Sequence, residues 1–516
     1  MPRGRSGKVS RLRPASAAGT FVVAALLAYP LLTGAVAAAP EQAGAVAAVV
    51  DDTALPGLGA TTGPTGPADL PNIVIVYTDD QRIDSTAGMM RLRQDIGRLG
   101  VTFSNAHAPT PLCCPSRVSL LSGQPSQVTG VWSNQAPRGG FAKFYATGGE
   151  ARTLATQLDA VGYRTALIGK YLNGYGESAT RIATTGDDTY IPPGWDAWHA
   201  FAYPVAYSRD GDATDYRDFW LMHRAESEPV NFRYHGFRSS DYSTTVLSRI
   251  AVNTIETTPE TTPLFMLVTP WAPHAPYRTT SRYMTAPVPA PRYLPPGFGR
   301  TAGKPPWVTE LPRVSAEKSR MLRARQIRAL YPVDDAVGVI VDALTRAGRM
   351  DNTLFVYASD NGYTWGEFNI LGQKRYPYTT PVPLMMRWDG HLSAGTMDSR
   401  IVSNVDITAT ALAAAGLATS TPLGGIDLVT PTSRESLLIA SGGKTREDAL
   451  RAYCGIRTSE WLYVRYAGGF EELYNVAVDP YFLTNLASRT VHEGTMAELR
   501  SKTMEQCSPT PPGFTW

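Results

Sequence analysis

The chain has 516 residues, a formal net charge of +3 at neutral pH and 18% charged residues. That length suffices for one large domain plus a smaller one around a well-buried core, and apolar and aromatic fractions of 43% and 10% exclude a fibrous or largely disordered chain. So small a charge argues against nucleic acid as the main partner, which calls for a concentrated basic face.

The one block of like charge is N-terminal. Arg3, Arg5, Lys8, Arg11 and Arg13 precede an apolar, Ala-rich run from Phe21 to about Ala39, which contains the small residues Ala35-Val36-Ala37 near its end. A basic region, an apolar region and an A-x-A-like exit predict a secretory signal peptide over residues 1–37. The alternative is an uncleaved anchor, because the run is nearly long enough to span a membrane. Pro30 and Gly34 weaken a spanning helix, and no second apolar segment of that length follows. The mature protein is therefore expected to be secreted, with no stable membrane anchor. Residues 38–70, with Gly63-Pro64-Thr65-Gly66-Pro67, read as a flexible linker.

From Pro71 onward short β-rich runs alternate with helical patterns. Asn72 to Tyr77 is a continuous apolar run, which fits a strand buried on both faces. Arg164 to Ile168, after a helical segment Leu154 to Val161, reads the same way, as do Leu264 to Val268 and Thr353 to Tyr357, the last preceded by a helix around Val333 to Ala347. Such alternation predicts an α/β sheet with helices on both faces. From about Leu450 the pattern changes to short antiparallel strands, Arg457-Thr458 through Trp461 to Tyr466 and then Glu472 to Asn475, with a Gly468-Gly469 turn. The expected organisation is a catalytic domain over 71–445 and a smaller C-terminal subdomain over 446–516.

In open α/β sheets ligands bind beyond the carboxyl ends of the strands. The first run delivers Asp79 and Asp80 there, the second Lys170, the third His274 and the fourth Asp360 and Asn361. Singly, each has an ordinary reading: an Asp after a strand is often a cap or turn residue, and His274 in Pro273-His274-Ala275-Pro276 a loop residue. Together they are harder to dismiss, because the fold sends all four ends to one edge. Three carboxylates and an amide are hard oxygen ligands that suit Ca²⁺ or Mg²⁺ better than Zn²⁺. A two-zinc phosphatase would need more imidazoles than a chain with seven His, none spaced as a ligand pair, supplies.

The four cysteines are Cys113, Cys114, Cys454 and Cys507. Adjacent cysteines rarely bond to each other, so in an oxidising compartment Cys454 and Cys507 are the natural pair, with two free thiols as the alternative. Cys113 opens the most specific segment, Cys113-Cys114-Pro115-Ser116-Arg117-Val118-Ser119-Leu120-Leu121-Ser122-Gly123. Pro115 suits a helix start and Gly123 its end, which places the pair at a helix N-terminus, with Arg117 one turn on: a site for an anion. Simple packing of buried thiols is the plainer reading of the same pair.

Cys113-x-Pro115-Ser116-Arg117 resembles the C-x-P-S-R core of the type I sulfatases. The resemblance extends over about residues 71–490, through Asn72-Ile73-Val74 to Thr78-Asp79-Asp80-Gln81, Gly169-Lys170-Tyr171-Leu172-Asn173, Pro273-His274-Ala275-Pro276, Ser359-Asp360-Asn361-Gly362, Lys374 in Lys374-Arg375-Tyr376-Pro377-Tyr378, and Glu472-Leu473-Tyr474 with Asp479-Pro480. Within that family the double Cys, the Lys170-Tyr171-Leu172-Asn173 string and Gly194-Trp195-Asp196-Ala197-Trp198 are similar to N-acetylglucosamine-6-sulfatases and bacterial arylsulfatases. Trp195 and Trp198 read as core aromatics in preference to a sugar-stacking pair.

The resemblance implies an alkaline-phosphatase-like large mixed sheet flanked by helices, and hydrolysis of a sulfate ester on a small molecule or carbohydrate. Cys113 is then converted to Cα-formylglycine by a formylglycine-generating enzyme and supplies the nucleophilic oxygen. One Ca²⁺ is held by Asp79, Asp80, Asp360, Asn361 and the modified Cys113. Arg117 and Lys170 stabilise the hydrated aldehyde, while Lys374 and His274 contact sulfate and help protonate the leaving oxygen. The chain departs from the family at Leu172, where many members carry a His thought to act as base; either another group takes that step, with His274 the candidate, or turnover is slower. Competing readings are a phosphate mono- or diesterase of the same superfamily and an inactive carbohydrate-binding relative.

Overall fold

The structure is a computed structural model and describes residues 70–202, 216–226, 228–417, 424–443 and 451–516. The expected signal peptide and all but the last residue of the expected linker lie outside these. Ten strands form one mixed sheet: β1 (Asn72–Thr78), β2 (Val101–Phe103), β4 (Arg164–Gly169), β5 (Ala197–Phe201), β6 (Phe219–Ala225), β7 (Asn231–His235), β8 (Leu264–Thr269), β9 (Thr353–Ser359), β10 (Leu384–Arg387) and β11 (Thr396–Asp398). Their order is β11-β2-β10-β9-β1-β8-β4-β5-β6-β7. The short strands β3 (Ala106–His107) and β12 (Val402–Ser403) pair separately.

The centre, β9-β1-β8-β4-β5, is parallel, and antiparallel strands flank it. All seven residues of β1 and of β9 are buried, which explains why these strands read as unbroken apolar runs. Alternate β1 residues feed two cores. Ile73, Ile75 and Tyr77 pack with helices Cys113–Ser122, Leu154–Asp159 and Asn404–Ala414 on one face. Val74 and Val76 pack with Ser243–Thr257 and Ala316–Arg346 on the other. The four strands and two helices expected from the sequence are all present. The helix expected around 333–347 is longer, starting at Ala316, where Ser315 caps it by accepting from Lys318 N at 3.2 Å, and it runs through Pro332.

A second, antiparallel sheet contains β13 (Ser436–Ser441), β14 (Tyr453–Thr458), β15 (Trp461–Tyr466) and β16 (Glu471–Asn475). The expected glycine turn joins β15 to β16, with Gly469 at φ 81° donating to Tyr466 O at 2.9 Å. The Cys454–Cys507 disulfide ties β14 to the end of helix Glu493–Gln506, with Cα atoms 6.3 Å apart. No helix among the described residues is long and apolar enough to cross a membrane.

One buried polar pair sets a pH dependence. His199 on β5 and His223 on β6 are cross-strand partners whose Nδ1 atoms lie 2.5 Å apart. Burial and the neighbouring ring push His199 down to about 3, and burial pushes His223 down to about 4. As pH falls from about 6.5, the unfolded chain takes up protons that the folded pair refuses, so stability falls, by on the order of 3 kcal/mol from His199 alone once pH 4 is reached. His223→Gln is expected to flatten this acid limb, read as Tm against pH.

Candidate active site

The parallel register sets Thr78 beside Ser359, so Asp79-Asp80 and Asp360-Asn361 leave the sheet side by side. Asp360 N donates to Thr78 O at 3.1 Å, and Asp80 N to Asp360 Oδ1 at 3.1 Å. Asp80 adopts φ 63°, a left-handed conformation that Asp tolerates better than most residues. Gln326 Nε2 holds its carbonyl at 3.2 Å, and Trp365 Nε1 in turn donates to Gln326 Oε1 at 2.5 Å.

Cys113 is the first residue of helix Cys113–Ser122, which closes at Gly123 with φ 66°. The two adjacent thiols part company here. Cys113 Sγ lies 3.4 Å from Asp79 Oδ1 and 2.8 Å from Lys374 Nζ. Cys114 instead packs in the core of that face, its N–H donating to Asn134 Oδ1 at 3.0 Å. One turn on, Arg117 donates through Nε to Asp360 Oδ2 at 3.0 Å and through its NH2 group to Asp79 Oδ2 at 3.3 Å. Asn404 Nδ2 fixes the helix by donating to Ser116 Oγ at 2.6 Å.

Lys170, at the end of β4, donates to Asp79 Oδ2 and sits 4.5 Å over the Trp271 ring. Lys374 also donates to Asp80 Oδ1 at 2.6 Å. His274 places Nε2 3.7 Å from Asp80 Oδ2, while its Nδ1 donates to Ala275 O at 2.7 Å. Tyr216 OH anchors the His274 carbonyl at 2.6 Å. Every site residue expected from the sequence thus meets in one cluster.

Its electrostatics are tightly balanced. Burial alone would push the Asp79 carboxyl up, but Lys170, His274 and Arg117 outweigh it and hold Asp79 well below the usual carboxylate range. Burial, then Asp79, push Asp360 up. Burial also opposes the charges on Arg117 and Lys374, yet the carboxylates lift both above their ordinary values. Burial lowers His274 and, with Asp79, raises the Cys113 thiol to about 12.

The donor set fits a hard divalent cation. Oxygens of Asp79, Asp80 and Asp360 and Cys113 Sγ lie within 4.8 Å of one another, and the buried Asn361 Oδ1 has no hydrogen-bond partner. Asn361 Nδ2 is tied to Asp80 Oδ1 at 2.8 Å and Gly362 O at 2.9 Å, which keeps the amide oriented. A carboxylate-rich oxygen cluster with one unused amide oxygen is the chemistry of a Ca²⁺ or Mg²⁺ site. Here three acidic side chains face Arg117, Lys170 and Lys374. A bound dication would therefore leave the site positive and ready for an anionic substrate.

Comparison with known proteins decides the family. The sulfatase family model matches residues 71–417, and a model for the C-terminal part of N-sulphoglucosamine sulphohydrolase matches residues 366–508. The chain belongs to the sulfatase family. This sulfatase is 28% identical over 492 residues to human N-acetylglucosamine-6-sulfatase, covering 85% of each chain. It is 29% identical to the enzyme of that name from Capra hircus, covering 81% of this chain and 80% of the relative. A solved enzyme in complex with its substrate D-glucosamine-2-N,6-O-disulfate superposes with a TM-score of 0.67 at 20% identity, covering 85% of this chain and 97% of the other. The phosphonate monoester hydrolase of Agrobacterium radiobacter shares the fold at a TM-score of 0.63 and 20% identity, over 84% and 95% of the two chains. The sulfatase is accordingly a sulfuric ester hydrolase on a large mixed sheet flanked by helices.

In the sulfatase a cavity of about 250 Å³ opens over this cluster, lined among others by Asp80, His274, Lys374, Trp307, Arg451 and Tyr466. Trp307, Arg451 and Tyr466 do not stand out in the sequence, because they belong to no short motif and reach the site only through tertiary packing of the short helix Pro306–Thr309, the approach to β14 and the end of β15. Trp195 and Trp198 lie in the core instead, 4% and 0% exposed. Leu172 is buried in the same apolar cluster and offers no base.

Proposed function

We propose that this sulfatase hydrolyses an O-sulfate ester on a sugar, with Cys113 matured to formylglycine and one Ca²⁺ bound by Asp79, Asp80, Asp360 and Asn361. The observation that carries the reading is the convergence of the Asp79, Asp80 and Asp360 carboxylates on Cys113, and not on Cys114, at a helix N-terminus. The similarity to N-acetylglucosamine-6-sulfatases supports a sugar ester in preference to an aryl one. The net reaction consumes one water and releases alcohol and hydrogen sulfate. When present, the cation neutralises sulfate oxygens and the hydrated aldehyde offers the oxygen nucleophile.

The chain's own groups supply the rest. Lys374, close to the Cys113 side chain, stabilises negative charge there and donates to the leaving oxygen. Arg117 and Lys170 orient Asp79, and Arg117 also holds Asp360. Neutral His274, its Nδ1–H engaged by Ala275 O, keeps its Nε2 lone pair toward the site and acts as the proton acceptor that Leu172 cannot be. His274→Ala is expected to lower kcat by about 10²–10⁴-fold while leaving calcium affinity within a small factor. Full kcat in that variant would remove the assignment.

We also retain secretion after removal of residues 1–37, which the basic and apolar N-terminal pattern supports, and maturation by a formylglycine-generating enzyme. The division at 445/446 stands as part of this reading, with β13 joining the C-terminal sheet from the body side. Two measurements test the function together: the mass of the Cys113 peptide, and turnover of N-acetylglucosamine-6-sulfate beside nitrophenyl sulfate and nitrophenyl phosphate. An aldehyde mass with preferential turnover of the sugar sulfate is expected. An unmodified thiol, or preference for the phosphate, would overturn the reading.

A further inference from the structure

A second cleft, of about 420 Å³, adjoins the active site and is lined by four arginines: Arg217, Arg278, Arg325 and Arg328. Among the described residues no carboxylate lines it, and Arg217, Arg325 and Arg328 take part in no ion pair. Arg325 and Arg328 stand three apart on helix Ala316–Arg346, so their charges share one face and repel each other. Arg328 is held in place by Nε donating to Ala286 O at 2.9 Å. Arg278 and Arg325 are exposed. Clustering like charges on a folded surface costs stability, and Arg217, Arg325 and Arg328, which have no acidic partner among the described residues, are paired by whatever anion the cleft receives.

The cleft's position says what that anion is attached to. Its floor, Pro276 to Thr279, continues directly from His274 and Ala275, which line the catalytic cavity. The shared wall is a tyrosine pair, with Tyr277 OH and Tyr363 OH 2.8 Å apart. Tyr277 lines the arginine cleft and Tyr363 the catalytic cavity. The charges of both Asp80 in the active site and Arg325 in the cleft reach Tyr277. A substrate whose sulfate ester sits at Cys113 can therefore continue over this wall only by entering a field of guanidinium groups. Guanidinium matches sulfate and carboxylate through bidentate hydrogen bonds, and Arg217, Arg325 and Arg328 together exceed what a single anion needs.

We infer that this cleft is a secondary binding site for a polyanionic sulfated polysaccharide, which it engages through residues beyond the one being hydrolysed. This rests on the sugar-sulfate reading and extends it from a monosaccharide to a chain. The site raises affinity for the polymer without taking part in the chemistry.

The test uses the full-length, matured enzyme and the double variant Arg217→Gln/Arg325→Gln, two residues outside the catalytic cluster. Wild type is expected to bind immobilised heparin, and the variant to elute at clearly lower salt. KM for a sulfated oligosaccharide should rise about tenfold, because the variant can no longer form two solvent-exposed charge pairs with the polymer. The value of kcat and the kinetics on N-acetylglucosamine-6-sulfate should stay unchanged. Arg217→Lys/Arg325→Lys should restore most of the heparin retention. Unchanged elution and unchanged oligosaccharide KM would overturn the proposal even in a fully active enzyme. Equal, variant-sensitive binding to double-stranded DNA or to phosphatidylserine vesicles would overturn the polysaccharide assignment. Should wild type cleave no sugar sulfate, the functional reading fails, and heparin elution still decides whether the cleft binds the polyanion.

Discussion

Cys113→Ala is expected to lower kcat for sulfate-ester hydrolysis by about five orders of magnitude, the scale on which an enzyme loses its nucleophile. Alanine removes the only side chain of the helix start that faces Asp79 and Lys374. The fold should survive, because the change deletes one buried sulfur and leaves the carboxylate–arginine network intact. Cys114→Ala is the matched control. Its sulfur packs in the apolar cluster, so the substitution should cost about 1–2 kcal/mol of stability and leave kcat within a few-fold. Equal loss in both variants would show that packing at the helix start, and not the chemistry of Cys113, governs activity. The comparison is read from single-turnover rates and thermal denaturation on both proteins, with the mass of the Cys113 peptide checked in the Cys114→Ala variant.

The central sheet and the residues of the candidate site were legible in the sequence for one physical reason. Strands buried on both faces must be continuously apolar, so β1, β4, β8 and β9 stand out, and the polar residues that follow them mark the functional edge. Asp79, Asp80, Lys170, His274, Asp360 and Asn361 all sit just beyond such runs. Lys374 does not announce itself this way; only the family resemblance points to it. What stays hidden depends on packing between distant segments. Gln326 reaches the Asp80 carbonyl from the middle of a 31-residue helix, and nothing local distinguishes it from other helical polar residues. Tyr466 and Trp307, whose rings meet at 5.1 Å, come to the cavity mouth through the C-terminal sheet. The arginine cleft draws its four charges from three separate stretches of chain, so a net charge of +3 over the whole molecule carries no sign of it. Strand β13 does not stand out because Ser436–Ser441 is short and is followed by glycines, a pattern shared by many loops.

Asp360→Asn is expected to weaken calcium binding by at least about 100-fold, more than the loss typical of a supporting residue, and to lower kcat at subsaturating calcium in proportion. The argument is electrostatic and geometric together. Asp360 Oδ1 accepts from Asp80 N and Oδ2 from the Arg117 guanidinium, so this carboxylate fixes both the turn that carries Asp80 and the arginine behind Cys113. An amide keeps the shape but removes a charge from the ligand set, and its NH2 group cannot accept from the Arg117 side. Arg117 then keeps Asp79 as its carboxylate partner beside the Lys170 carbonyl, which draws the ligand carboxylates apart. Raising the calcium concentration should restore a substantial part of kcat, because the remaining ligands still form a site once mass action is strong enough. Acidification should mimic the substitution reversibly in wild type: burial and Asp79 raise the Asp360 carboxyl, so protons compete with the cation and apparent calcium affinity falls as pH drops. Isothermal titration with calcium, with chelator-stripped protein at two pH values, reads both effects. A variant that binds calcium as wild type does, yet is inactive, would move Asp360 from the ligand set to the support of Arg117.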